Sequence, residues 1–344
     1  MTTSALFSKG AVQMLELPDT MRAVVRRSYG TADELAIEAI GLPEPEKDEV
    51  LVQVDSAGVD RGTWHLMTGR PYLTRLFFGL RGPKNPVLGL DLAGTVVRVG
   101  NEVTRFEVGD EVFGIGRGTF AEYACARQDK LARRPANVTA DGASVVAVSG
   151  QTALQALREV GHLDRGQRVL ITGASGGVGT FAVQIARALG ASVAGVASAR
   201  KLDLVRELGA TRTIDYAAED FADGSATYDL IVDIGGNSPL RRLRRALTRT
   251  GTLVIVGGEG GGQLIGGTDR QLRAVVLSPL VGQRLTTFVA KEDQGLDDLA
   301  ALIEAGSVVP ALERAFPLEQ AADALRHLEA GDVRGKIAIR VRAS

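Results

Sequence analysis

Residues 171–186 read ITGASGGVGTFAVQIA, a run of small residues set where an apolar strand ends and a helix begins. Upstream, 168–172 has the texture of a short buried strand. Downstream, Val178, Phe181, Ala182, Ile185, Ala186 and Leu189 recur at helical spacing, and Gly190 stands where a C-terminal cap belongs. Both flanks are patterned, so the glycines mark a strand-to-helix turn rather than a flexible linker. Such a turn lets a backbone approach a ligand closely and lets a helix N-terminus hold an anion. In register with G-x-G-x-x-G, Ala174 takes the first position, Gly176 the second and Gly179 the third. Strand before, amphipathic helix after and strand next is the setting that makes this pattern a dinucleotide fingerprint. Alanine at the first position is compatible with it if that residue keeps a negative φ.

The surrounding chain has the same rhythm. Strand-like runs at 168–172, 192–197, 212–216, 229–233 and 252–256 alternate with helical segments at 178–189, 200–208 and 239–248. That alternation predicts βαβ units, a doubly wound parallel sheet and an α/β fold. AVVLSPLV (274–281) and RLTTFVA (284–290) read as further strands, and 296–305 as another helix. Between about 21 and 145 the texture differs: strand signals and turns dominate, as in EVLVQVDSAGV (49–59), and predict a β-rich domain. Residues 1–20 read as an extension. The helix at 318–331 and the strand KIAIRV (336–341) need not belong to the sheet they follow.

Composition excludes several classes of function. Among 344 residues, 40 Lys and Arg nearly cancel 41 Asp and Glu, leaving no electrostatic footprint for nucleic acid. A single cysteine, Cys125, excludes an internal disulfide framework and a multi-cysteine zinc lobe. With only His65, His162 and His327 besides, a metal site would need mostly carboxylates, and none is expected. No apolar run is long enough to span a bilayer, and the N-terminus lacks a secretory pattern. The expectation is a cytoplasmic protein acting on a small molecule, without a membrane or nucleic-acid partner.

The end of the second strand of the βαβ unit bears on which dinucleotide binds. NAD-binding units place an acidic residue there to hold the ribose 2′-hydroxyl. GVASARKLD (195–203) instead offers Ser198, Arg200 and Lys201 before the first acid, Asp203. A hydroxyl and cations suit a 2′-phosphate that a carboxylate would repel. Cations at a helix start also oppose its dipole, which argues for an anion nearby. The segment points to NADP(H).

With these motifs in hand, the chain resembles the medium-chain dehydrogenase/reductase superfamily, and within it the zinc-free quinone oxidoreductases. The resemblance runs from Met21 almost to the end. It rests on PVLGLDLAGTVVRVGNEVTRFEVGDEVFG (86–114), GTFAEYA (118–124), SGQTALQAL (149–157), GASGGVGTFAVQIA (173–186) and GKIAI (335–339). It implies a GroES-like barrel from 21–147 and 308–344, a Rossmann domain inserted at 148–307, and an active site in the cleft between them. Zinc-dependent relatives carry Gly-His-Glu where this chain has Gly89, Leu90 and Asp91, and a cysteine ligand where it has Asp60. Leucine ligates no metal, so the resemblance implies hydride delivery to a quinone, enone or enal, acceptors already activated by conjugation.

By position, the resemblance implies that the diphosphate meets Ser175, Gly176, Gly177, Val178 and Gly179. Ser198, Arg200, Lys201 and Tyr216 would meet the 2′-phosphate. Gly257 and Gly258 would lie near the nicotinamide, with Phe288, Val289 and Ala290 on its far side, and Lys336 would reach the cleft. In GVDRGTWHLMTGRPY (58–72), Asp60, Thr63 and Trp64 are expected in the substrate pocket, although relatives more usually carry Asn and Asp where Asp60 and Thr63 stand. His65 and Tyr72 are the candidate catalytic groups, each with a purely structural alternative. Cys125, in the alternating FAEYACA (120–126), reads as a core residue. The resemblance also implies a homodimer, formed by pairing the strand read at RAVVLSPLV across a two-fold axis. Two other functions fit the same residues: an enoyl-thioester or biosynthetic-pathway reductase, and a non-catalytic dinucleotide-binding sensor or interaction protein.

Overall fold

The computed structural model describes residues 17–257 and 268–342. The glycine turn stands at the centre of the Rossmann sheet, and strands from before and after that sheet build the barrel beside it.

In the N-terminal part, β1 (Thr20–Arg26) and β2 (Leu35–Gly41) form an antiparallel pair. Then follow β3 (Glu49–Val59), α1 (Arg61–Thr68), α2 (Arg75–Phe78), β4 (Asp91–Val99), β5 (Glu111–Ile115), β6 (Tyr123–Arg127), β7 (Leu131–Arg133) and α3 (Ala140–Ala143). The long β3 organises this domain, pairing with both β4 and β6. Its alternate residues Val50, Val52 and Val54 face a core that Leu92, Val96 and Phe120 share. Helices α1 and α2 interrupt a stretch whose sequence shows mainly strand signals. Asp60 starts α1 by accepting the Thr63 amide at 2.7 Å, and Gly69, in a left-handed conformation, ends it.

The inserted part begins with α4 (Ala147–Gln155). It continues as β8 (Arg168–Thr172), α5 (Gly177–Ala188), β9 (Ser192–Ala197), α6 (Leu202–Glu207), β10 (Arg212–Asp215), β11 (Tyr228–Asp233), α7 (Leu240–Ala246), β12 (Leu247–Ile255), α8 (Thr268–Leu277), β13 (Arg284–Thr287) and α9 (Leu296–Glu304). Six strands form one sheet in the order β10-β9-β8-β11-β12-β13, and every pairing is parallel. The order reverses between β8 and β11, so a crevice opens beyond their C-terminal ends. The chain then returns to the barrel: β14 (Leu312–Pro317), α10 (Ala321–Glu329) and β15 (Lys336–Arg340) add two strands beside β3. One apolar cluster runs from Ala93 and Phe113 of the barrel to Phe181 and Val183 of α5, which fixes the cleft between the two parts.

One element differs from its sequence reading. RAVVLSPLV is not a strand: it belongs to α8 and the turn after it. Ala274, Leu277 and Val281 pack inward, three and four residues apart, while Leu272, Val275 and Val276 are exposed. That is helical spacing, and tertiary packing overrides the β-propensity of two adjacent valines. The edge strand is β13, so the expected dimer loses the strand it was built on. The proposed extension lies, over residues 1–16, outside the described residues.

Candidate active site

The turn after β8 is built by three small residues with different tasks. Gly173 takes φ +68°, which an L side chain rarely adopts, and its amide region lies against Gly235. Ala174 is fully buried and has no positive φ, so alanine is tolerated there at no conformational cost. At Gly179 a Cβ would stand 2.1 Å from the Gly173 carbonyl oxygen and 2.7 Å from Ala174 Cα. Only glycine lets α5 sit this close to the strand. Gly176 caps α5 without a side-chain acceptor, so the first-turn N–H groups are open to an anionic ligand. A cleft of about 320 Å³ lies in front of them, walled by Gly173, Gly176, Gly177 and Val178 on one side and by Asp60, Gly62 and Lys336 on the other. These features fit a dinucleotide diphosphate. Ser175 borders the neighbouring cavity, and its carbonyl accepts the Gly335 amide at 2.9 Å, joining the two domains.

That neighbouring cavity, about 430 Å³, extends past the ends of β8, β9 and β11 and is bordered by Ser198, Arg200, Lys201 and Tyr216. The Tyr216 amide donates to the Ala197 carbonyl at 3.2 Å, which brings the end of β10 beside the end of β9. Arg200 is largely exposed and pairs with Asp332 at 2.6 Å. Lys201 has a different task from the one expected. Its ammonium donates to the carbonyls of Gly331 and Val333, both at 2.8 Å, and its side chain is mostly buried. Burial pushes its pKa down, helped by the Arg200 charge. Lys201 is therefore a tie between the domains, and Arg334 reinforces it through Asp203 at 2.6 Å. Arg200 and Ser198 remain the side chains suited to a phosphate.

At the reversal point itself, the Thr172 hydroxyl donates to Asp233 at 2.6 Å, and Asp233 pairs with Arg270 of α8 at 2.5 Å. Arg270 also donates to the Gly257 carbonyl at 3.0 Å, holding the end of β12 against β11. A Cβ on Gly257 would meet the Ile234 carbonyl oxygen at 2.0 Å, so this glycine is required by strand packing. Gly258 lies outside the described residues. Past β13, Phe288 packs on the Rossmann core, Ala290 is half-buried and Val289 is 92% exposed, and none of the three borders either cavity.

On the barrel side, Asp60 reaches the cleft as expected. Thr63 and Trp64 do not border it: Thr63 is fully buried, and Trp64 packs against the barrel core with Arg61 over its ring at 5.3 Å. Thr63 and Trp64 thus support α1 rather than line this pocket. His65 Nδ1 lies 2.7 Å from the Arg70 carbonyl, and the Tyr72 ring lies under the Arg75 guanidinium at 4.6 Å. Neither belongs to the lining of this cleft. Cys125 is buried in β6, its thiol pushed up to about 11 mainly by burial, and it is a core residue.

One buried carboxylate had no role in the sequence reading, and it meets Lys336, which borders the cleft. Asp91, fully buried at the start of β4, accepts the Val148 amide at 2.9 Å and lies 3.8 Å from Lys336 Nζ. Lys336 in turn donates to the Ser149 hydroxyl at 3.2 Å. Burial raises the Asp91 carboxyl to about 7; the Lys336 ammonium pulls it down and Asp60 pushes it up. The signal for Asp91 is a lone carboxylate opening an apolar strand.

A zinc ion does not fit these residues. Leu90 packs toward Gly62 of the cleft and carries no donor atom, and the nearest buried carboxylate, Asp91, already faces the Lys336 ammonium at 3.8 Å. Among the described residues, no group of three or more His, Cys, Asp and Glu comes together.

Comparison with known proteins agrees with this architecture. Residues 46–136 match the family described as alcohol dehydrogenase GroES-like domain, and residues 208–339 the family described as zinc-binding dehydrogenase. A chloroplastic quinone oxidoreductase of Triphysaria versicolor is 30% identical over 93% of this chain and 98% of its own. A chloroplastic NADPH-dependent alkenal/one oxidoreductase of Arabidopsis thaliana is 31% identical over 94% of this chain and 80% of its own. Among solved structures, the quinone oxidoreductase from Coxiella burnetii superposes with a TM-score of 0.83 at 27% identity, covering 94% of this chain and all of that one. A dinucleotide cradle facing a cleft between a GroES-like barrel and a Rossmann sheet, on a chain with these relatives, makes this an oxidoreductase that uses a nicotinamide cofactor. The chain belongs to the medium-chain dehydrogenase/reductase superfamily, in its quinone oxidoreductase branch.

Proposed function

We propose that this enzyme reduces a quinone or an α,β-unsaturated carbonyl with NADPH and without zinc. Bound NADPH supplies a hydride; the chain supplies position and charge. The open N-terminus of α5 holds the diphosphate, and Ser198, Arg200 and Tyr216 receive the adenosine 2′-phosphate. The barrel wall at Asp60 and Gly62 orients the acceptor in the cleft. The observation that carries the reading is Leu90 beside Gly62, at the position where a metal-dependent relative needs a ligand. Without a Lewis acid, an unpolarised alcohol is a poor hydride donor, whereas a conjugated acceptor accepts hydride readily once positioned. His65 and Tyr72 lie off the lining of this cleft and take no part in this reading.

The test is NADPH oxidation with a small quinone and a small enone, using protein treated with a strong chelator. The expected result is unchanged turnover after chelation, with little oxidation of a primary alcohol by NADP. Loss of turnover that returns on adding zinc would contradict the reading.

A further inference from the structure

Asp91 and Lys336 lie 245 positions apart in sequence and meet where the barrel touches the cofactor turn. Lys336 is 2% exposed, and its stem lies over Gly177, the first residue of α5: a Cβ there would stand 2.9 Å from Lys336 Cδ and 3.2 Å from the Ser149 hydroxyl. The ammonium therefore sits between a buried carboxylate and the helix end suited to a diphosphate. Its one short hydrogen bond goes to Ser149, and at 3.8 Å its contact with Asp91 is a loose ion pair. Asp91 Oδ2 is buried and accepts no hydrogen bond. Around it, Asp60 faces from the start of α1, Lys336 from β15 and Glu292 from beyond β13, while α4 contributes the Val148 amide and the Ser149 hydroxyl. Lys336 is the one cation in this set, against two other carboxylates.

We propose that Asp91, acting through Lys336, takes up a proton when the dinucleotide binds, so that hydride source and proton are loaded together. The inference rests on the nicotinamide-dinucleotide reading of the glycine turn. Two diphosphate charges at the end of α5 compete for the one ammonium that balances Asp91. A fully buried carboxylate whose counter-charge is drawn away is favoured in its neutral form. Its ordinary range is already left behind, since burial raises Asp91 to about 7 before any anion arrives. The added anion raises it further, and at pH 8 the carboxylate gains a proton from solvent. The balance of the reduction then closes within the site. Hydride addition to the acceptor leaves an oxyanion; the Lys336 ammonium gives that oxygen a proton, and Asp91 restores the ammonium and becomes a carboxylate. In this scheme Asp91 is a positioning residue that holds the proton.

The experiment is isothermal calorimetry of NADPH binding at pH 8 in two buffers of different ionisation enthalpy. The cofactor's 2′-phosphate is already ionised at that pH and contributes no uptake of its own. The expected result is an uptake approaching about one proton per site at pH 8. It should vanish near pH 5.5, where Asp91 is protonated beforehand, and be lost in Asp91→Asn. Lys336→Gln is the second variant, in case Asp91→Asn does not fold. Without the ammonium Asp91 holds its proton before the cofactor arrives, so uptake is lost there too. Equal binding heats in both buffers, or uptake that persists in either folded variant, would overturn the proposal while leaving the dinucleotide reading intact. Absence of any binding heat with NADPH and NADH alike, in a titration at high protein concentration, would overturn both.

Discussion

Gly176→Ala should leave the stability of the protein unchanged, within about 0.5 kcal/mol, yet weaken NADPH binding at least about tenfold. Gly179→Ala should damage both. The two residues are three positions apart in one turn, and the structure separates their tasks. At Gly176 the backbone is extended, with φ −87° and ψ 178°, and an added Cβ would meet only the Gly173 oxygen, at an ordinary 3.4 Å. Nothing in the protein resists that methyl group. It would stand instead on the floor of the cleft, where a diphosphate must approach the backbone. At Gly179 the same methyl would press on the Gly173 carbonyl and on Ala174, backbone atoms that cannot swing aside. Forcing α5 outward costs about 1–3 kcal/mol or more by the usual range for overpacking, and moves the helix end with it. Chemical denaturation and cofactor titration on both variants check this. Equal stability loss in the two would contradict this division of tasks, and unaltered affinity in Gly176→Ala would show that no diphosphate rides on this turn.

The second large effect concerns the choice between cofactors. Arg200→Ala should weaken NADPH at least about tenfold and leave NADH nearly unchanged. Arg200 already has a partner, Asp332 at 2.6 Å, so the phosphate must compete for it. The competition favours the phosphate. A largely exposed ion pair contributes about 0–1 kcal/mol, whereas a charge-assisted hydrogen bond contributes about 1.5–3 kcal/mol. Asp332→Asn should accordingly tighten NADPH slightly. Ser198→Asp should go furthest and reverse the preference, since a carboxylate repels the 2′-phosphate and accepts from a free 2′-hydroxyl. Titration of both cofactors against these variants decides it; a wild-type preference for NADH, or equal weakening of both cofactors in Arg200→Ala, would remove the assignment.

Lys201 stands next in the chain and was expected to share this task, but it points to two carbonyls of the barrel's returning segment. The contrast shows what a sequence can carry. The alternation of apolar strands and amphipathic helices is local, so the parallel sheet and the glycine turn were legible almost to the residue. Functions that depend on a distant partner were not. Lys201 is tied to Gly331 and Val333, Asp91 to Lys336, and Asp233 to Arg270; no spacing in the chain announces such pairs. A weaker signal did exist: Asp91 is the single carboxylate of its strand and Asp233 ends the apolar run Leu230–Val232, positions where a buried charge demands a partner. The misreading of RAVVLSPLV has another cause. Its apolar residues suit a strand by type, and only their contacts reveal that Ala274 and Leu277 face inward while their neighbours face water.

Transfer of a labelled hydride tests the central claim most directly. The chelator-treated protein would be supplied with NADPH carrying deuterium at the transferable position and with a small enone, and the product read by mass spectrometry and NMR. The expected result is a saturated ketone with one deuterium at the carbon β to the carbonyl. An allylic alcohol with deuterium on the carbinol carbon, or product formed only when zinc is restored, would contradict the account.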